Sequence, residues 1–276
     1  MHAENGEGLA EVVQGGTPVR IEYRTIAAAA PEAPLLVFLH EGLGSLSAWR
    51  DFPDRLCAAG GLRGLIYSRP GYGRSTPRPH TQHWAPDFMH VQAREVLPQL
   101  LAALSIDTRE WPPWLFGHSD GASIALIHAA NFPDRVAGVI AVAPHLFVED
   151  LSVRSIERAR EVYRTTDLRE RLARHHADVE SAFWGWNDIW LDPAFRSWNI
   201  ESLLPEIRCP LLAVQGHDDE YGTMAQIDRI TLGAPHARLV KLAECGHSPQ
   251  RDQPDALIKA VVAFMAPFMT RLQARA

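Results

Sequence analysis

The segment that most restricts the architecture open to this chain runs from Trp114 to Asn131. An apolar stretch, Trp114-Leu115-Phe116, ends in Gly117-His118-Ser119-Asp120-Gly121 and passes at once into an alanine-rich run with apolar residues at helical spacing. A strand that turns into a helix within so few residues brings the two backbones close together. The positions two before and two after the central residue then have room for little more than hydrogen. Gly117 and Gly121 meet that demand. The turn predicts a strained backbone at Ser119 and projects its hydroxyl beyond the strand end, where it is placed to act as a nucleophile and not merely as a turn residue.

The same strand, loop and helix rhythm extends along the chain. Val19 to Ile26 alternates as an early antiparallel strand does, whereas Leu35 to Leu39, Leu62 to Tyr67, Trp114 to Phe116 and Val136 to Val142 are continuous apolar runs suited to a sheet covered on both faces. Helical spacing is found over Ala48 to Ala59, Asp87 to Leu104 and Ser119 to Asn131. This alternation predicts an α/β fold, a mostly parallel doubly wound sheet with helices on both faces. After Pro144 the chain becomes charged and helical, with Trp184, Trp186, Trp190 and Trp198 close together, and strands resume at Pro210 to Gly216 and Ala237 to Leu242. The expected division is a core of residues 1–144 and 206–276 with an inserted helical lid over 145–205. A lid at the carboxyl ends of the strands would exclude water, and Trp184, Trp186 and Trp190 are expected as walls of a substrate pocket, with packing between lid helices as the alternative.

Composition narrows the partners. With 276 residues, 46% of them hydrophobic, the chain can bury one large core. A net charge of −6 without a basic stripe argues against nucleic acid and against an anionic membrane surface, and leaves a small-molecule substrate as the expected partner. Residues 1 to 8 are acidic and polar, lack the pattern of a secretory signal and are expected to be loose. Ala256 to Met269, interrupted by Lys259 and Pro267, is too short to span a bilayer and reads as a final amphipathic helix. Cys57, Cys209 and Cys245 are few, odd in number and far apart, which gives neither a disulfide framework nor a Cys-x-x-Cys clip and makes a cytoplasmic location the default.

A serine hydroxyl needs a base to take its proton, and the base needs a group to orient it. In sheets of this kind the acid and the histidine follow the serine on later strand-to-loop junctions. The junctions here carry Gly216-His217-Asp218-Asp219-Glu220 and Glu244-Cys245-Gly246-His247-Ser248-Pro249. His247 is the candidate base and Asp219 the candidate acid, with Asp218 the main competitor. His217 beside two aspartates lacks a second His or Cys pair, so no metal and no other cofactor is expected. Cys245 reads as a small apolar residue lining the site. Negative charge on a carbonyl oxygen requires donors: the amide of Asp120, after the nucleophile, and that of Gly42 in the glycine-rich loop His40-Glu41-Gly42-Leu43-Gly44-Ser45 are the candidate oxyanion hole. Arg69-Pro70-Gly71-Tyr72-Gly73-Arg74-Ser75 lacks the third glycine of a dinucleotide loop and is read as a turn-rich floor to the site.

Together, Gly117-His118-Ser119-Asp120-Gly121, the His40-Glu41-Gly42 loop, the Arg69 to Ser75 loop, the Asp219 loop and Gly246-His247 resemble the α/β-hydrolase superfamily over about Val19 to Met269. The resemblance implies a Ser119, Asp219, His247 triad with an oxyanion hole at Gly42 and Asp120. Many relatives have His-Gly where this chain has His40-Glu41, and aspartate where it has Ser68. Glu41 is expected either to line the pocket, disfavouring anionic acyl groups, or to face solvent. Serine in place of aspartate at the elbow argues against cleavage of carbon-halogen bonds and epoxides. The leading expectation is hydrolysis of a carboxylic ester or thioester through an acyl-enzyme. The alternatives are carbon-carbon bond hydrolysis of aromatic ring-cleavage products, acyl transfer to an alcohol, and ligand binding on the same fold.

Overall fold

The computed structural model describes residues 5–30 and 32–273. Eight strands form one sheet: β1 (Gly6–Gln14), β2 (Thr17–Ile26), β3 (Leu35–Leu39), β4 (Arg63–Tyr67), β5 (Trp114–His118), β6 (Gly138–Val142), β7 (Leu211–Gly216) and β8 (Arg238–Leu242). Their order is β1-β2-β4-β3-β5-β6-β7-β8, antiparallel where β1 meets β2 and β2 meets β4 and parallel from there on.

The period of two in a strand explains why the parallel strands read as unbroken apolar runs. Leu36, Phe38, Trp114, Phe116, Ile140, Val142, Leu212 and Val214 face one layer, where α1 (Phe52–Gly60) contributes Phe52 and Leu56. Their neighbours Val37, Leu39, Leu115, Val139, Ala141, Leu211 and Ala213 face the opposite layer, which α2 (Phe88–Val91), α3 (Leu97–Ala103) and α4 (Asp120–Asn131) cover. In α4, Asp120 through Ala130 are all buried, so the helix behind the elbow is wrapped by sheet and neighbouring helices.

Between β6 and β7 lie α5 (Asp150–Thr165), α6 (Leu168–Leu172) and α7 (Val179–Leu191), followed by two short 3₁₀ segments. The chain closes with α8 (Ala225–Asp228), α9 (Ile230–Gly233), α10 (Pro249–Asp252) and α11 (Pro254–Gln273); Leu257, Val261 and Phe264 of α11 complete the α1 layer.

Two expectations need correction. Residues 1–4 lie outside the described residues, but Gly6 to Gly8, expected to be loose, open strand β1. The ordering comes from pairing: Gly15 and Gly16, both at positive φ, make a two-residue hairpin turn that aligns Gln14 with Thr17, and Ala10 and Val12 are buried. The helix expected over 48–59 is broken, because Arg50 takes a φ of 55° after a 3₁₀ turn at Ser47–Trp49, and α1 starts only at Phe52. No helix of the described residues is long and apolar enough to cross a membrane.

Candidate active site

The elbow has the strain its sequence predicts. Ser119 caps α4 with φ 53° and ψ −120°, a region a non-glycine residue occupies only when its surroundings impose it. Those surroundings are tight. A methyl on Gly117 would overlap the backbone of Gly121 and Ala122, and one on Gly121 would overlap the carbonyls of Leu39 and His40.

Two loops bring the other expected groups to the hydroxyl. His247 Nε2 lies 2.9 Å from Ser119 Oγ, and His247 Nδ1 lies 2.8 Å from Asp219 Oδ1. An ionised carboxylate only accepts, so Nδ1 carries the proton and Nε2 is left to accept from the serine. Asp219 is buried and further held by the amides of Tyr221 (2.8 Å) and Gly222 (3.1 Å) and by Gln215 Nε2 (3.2 Å). Burial pushes its carboxyl up, but His247 and the amide of Tyr221 outweigh that and hold it below the ordinary carboxylate value. Burial likewise pushes the His247 imidazole down, and the charge and hydrogen bond of Asp219, with Glu220 and Glu41 behind, carry it above the ordinary histidine value. Asp218 is exposed, its amide bonded to the Cys245 carbonyl.

The histidine loop rests on a support that the sequence did not disclose. His118, buried beneath it, donates from Nε2 to the His247 carbonyl at 2.7 Å and receives Gln250 Nε2 on Nδ1 at 3.0 Å. Glu220 Oε2 accepts from the His247 amide at 3.2 Å. Glu41 does turn inward, although not to Ser119: its carboxylate folds over Gly44, 3.6 Å from His118 Nδ1 on one oxygen and 3.6 Å from Arg251 on the other. Burial raises it, and the proximity of His118 and Arg251 brings it far below the carboxylate range.

Asp120 is buried behind the elbow, its carboxylate accepting from Trp190 Nε1 at 3.2 Å and lying 3.5 Å from Arg69. Burial raises its carboxyl despite the opposing charge of Arg69. Among the described residues neither the Gly42 nor the Asp120 amide has an acceptor. Trp186 stands directly over Gly42, where a methyl group would overlap its pyrrole edge. Trp184 instead packs on Phe183 and Tyr163 and donates to Glu180, within the inserted helices. Trp198 stacks on Phe195. His145 and Tyr221, not singled out by sequence, place their rings 5.8 Å and 4.8 Å from that of His247. Burial lowers His145 to about 3 and keeps it neutral. Cys245 is buried and its thiol is pushed up to about 11, so it is no thiolate. Among the described residues no group of three His, Cys, Asp or Glu side chains could hold a metal ion.

The chain is similar along most of its length to several known proteins. A curated 2-hydroxy-6-oxononadienedioate/2-hydroxy-6-oxononatrienedioate hydrolase of Paraburkholderia phymatum is 24% identical over 92% of this chain and 93% of its own length. A 2-succinyl-6-hydroxy-2,4-cyclohexadiene-1-carboxylate synthase of Enterobacter is 26% identical over 83% of this chain and 91% of its own. Among solved structures, the enol-lactonase of Burkholderia xenovorans superposes with a TM-score of 0.70 at 22% identity, covering 93% of this chain and 99% of that one. A carboxylesterase structure from Nitrososphaera gargenis reaches 0.73 at 20% identity, covering 95% and 99%. The model of the alpha/beta hydrolase family matches residues 36–260, and the chain belongs to that family.

Proposed function

We propose that this protein is a serine hydrolase of small-molecule carbonyl compounds, in the first place carboxylic esters or thioesters. The observation that carries the reading is the continuous hydrogen-bonded line from Ser119 Oγ through His247 to Asp219, at 2.9 Å and 2.8 Å. Ser119 attacks the carbonyl carbon while His247 takes its proton, Asp219 stabilises the resulting imidazolium, and the amides of Gly42 and Asp120 receive the oxyanion. Collapse expels the alcohol or thiol, which takes the proton back from His247 and leaves an acyl group on Ser119. Water, deprotonated by the same histidine, then releases the acid. In this reading residues 145–205 act as the lid, with Trp186, which stands over Gly42, and Trp190, which donates to Asp120, as walls of the pocket.

The names of the curated relatives favour a second reading at the same site, hydrolysis of a carbon-carbon bond in a ring-cleavage product. A panel of p-nitrophenyl esters, acyl thioesters and vinylogous diketones separates the two by kcat/KM. Ser119→Ala should abolish turnover of the preferred substrate and labelling by a serine-directed phosphonate. Undiminished turnover in that variant would overturn both readings.

A further inference from the structure

The Arg69 to Ser75 loop, read from sequence as a floor, holds a side chain with more specific work. Arg69 is 1% exposed, and its guanidinium meets both halves of the proposed oxyanion site. Its Nη2 donates to the Glu41 carbonyl at 2.9 Å. The same Nη2 lies 3.5 Å from Asp120 Oδ2.

The Glu41 carbonyl belongs to the same peptide group as the Gly42 N–H. That peptide is trans, so the carbonyl and the N–H point in opposite directions and fixing one fixes the other. Three donors converge on this oxygen: Arg69 Nη2 at 2.9 Å, His40 Nδ1 at 2.7 Å and the Gly44 amide at 3.1 Å. The tautomer of His40 is set by the same loop, because the Arg69 amide donates to His40 Nε2 at 2.9 Å and leaves the proton on Nδ1. Complete burial and the charge of Arg69 lower His40 well below its ordinary value, so it stays in that neutral form.

We propose that Arg69 is a positioning residue for the oxyanion site, tying the carbonyl that aims the Gly42 N–H to the side chain of Asp120, whose own amide is the second donor. The inference rests on the assignment of Gly42 and Asp120 as donors made above. A catalytic dipole is effective because it is already oriented before charge develops, and the Nη2 that meets both acceptors is fixed by a planar, packed guanidinium, which an ammonium on a flexible four-carbon stem does not reproduce. Tyr72 stacks beneath the guanidinium, 4.7 Å from ring centre to Cζ, and limits its movement.

The test is Arg69→Lys, which retains the charge beside Asp120 and loses the planar group that fixes the donor, measured beside wild type and Ser119→Ala on one p-nitrophenyl ester. The expected result is a kcat lower by about 10- to 100-fold with KM within about three-fold, less than the loss for outright removal of an oxyanion donor. Inhibition by n-butylboronic acid, whose adduct carries the charge of the tetrahedral state, should weaken in the same proportion. Because an unpaired Asp120 can prevent folding, Arg69→Met/Asp120→Asn, which removes both charges, is measured as well. A folded variant of either kind with wild-type kcat and boronate inhibition overturns the inference while leaving the reaction intact. Turnover by Ser119→Ala indicts the reaction instead. Independently of any variant, a structure of the wild-type boronate adduct should place one adduct oxygen within about 3.2 Å of both amides with the Glu41 carbonyl still on Arg69. An oxygen directed elsewhere refutes it.

Discussion

Replacing Asp219 by asparagine isolates charge from shape. The amide oxygen can keep the contacts of Oδ1, with His247 Nδ1 at 2.8 Å and the Tyr221 and Gly222 amides at 2.8 Å and 3.1 Å. The amide nitrogen then meets Gln215 Nε2, now 3.2 Å from Oδ2, as donor facing donor. Gln215 can turn, since its Oε1 is buried without a partner, at the expense of its bonds to the Gly222 and Thr223 carbonyls. What asparagine cannot restore is the negative charge facing the imidazolium of the transition state. Two unit charges about 4 Å apart at an effective dielectric of about 20 attract by about 4 kcal/mol, or about three powers of ten in rate. The sign of the pH effect is also determined. His247 must be neutral to accept the serine proton, and in wild type its raised affinity for protons makes activity fall as pH drops through that elevated value. Asp219→Asn removes the main cause of the elevation, so the acidic limb of the kcat/KM profile moves to lower pH while the plateau drops about 10³-fold. Asp218→Asn, on an exposed neighbour, leaves both unchanged. The assay is p-nitrophenyl ester hydrolysis from pH 5 to 9, with phosphonate titration to count competent sites. A loss under three-fold for Asp219→Asn, or a larger loss for Asp218→Asn, refutes the reasoning.

Three further outcomes follow from particular contacts. Gly42→Ala would drive a methyl group into the Trp186 pyrrole edge, so the indole must move; kcat should fall by about 10²-fold and tryptophan emission should shift, and unchanged emission would place Trp186 elsewhere. His128 is buried with Nδ1 on the Ala93 carbonyl and is lowered to about 4, so between pH 6.5 and 4 the unfolded chain takes up a proton that the folded one refuses. Stability should fall over that window by about 3 kcal/mol in urea titrations, and His128→Gln should remove about that much of the slope. Ser152 and Ser155 of α5 donate to the Tyr221 and Glu220 carbonyls, both at 2.5 Å, beside Asp219. Their double alanine variant should lower stability by about 2 kcal/mol and kcat several-fold, and a kcat equal to wild type would separate the inserted helices from the acid loop.

Which parts of this arrangement can be read in a sequence follows the range of the forces involved. The parallel strands were legible because burial on both faces leaves continuous apolar runs, and the elbow because a backbone crossing admits only glycine at 117 and 121. Strand β1 was not read, although Gly15-Gly16 is a strong hairpin signal, since Leu9 and Val13 on its outer side blur with an acidic start that resembles a tail. The break before α1 has no local marker, for Arg50 is not a residue that announces a positive φ.

The proposed reacting residues declare themselves by strand-end position, while their supports do not, and the difference is physical. Ser119, Asp219 and His247 each follow the carboxyl end of a parallel strand, β5, β7 and β8, so chain order and the carboxyl-end rule bring them together before any side chain is considered. His118, Glu41, His40 and Arg69 act through pairings that no local pattern encodes: a buried arginine becomes stable only where Asp120 and a carbonyl from another loop converge on it. Isolated in an apolar interior, either charge would cost several kcal/mol, so the pair exists only if both loops take one geometry. The cost that hides the pairing of Arg69 with Asp120 from a sequence reading is therefore also what makes the pair able to hold the Gly42 peptide in a single orientation, because any departure from it leaves a buried charge without its partner.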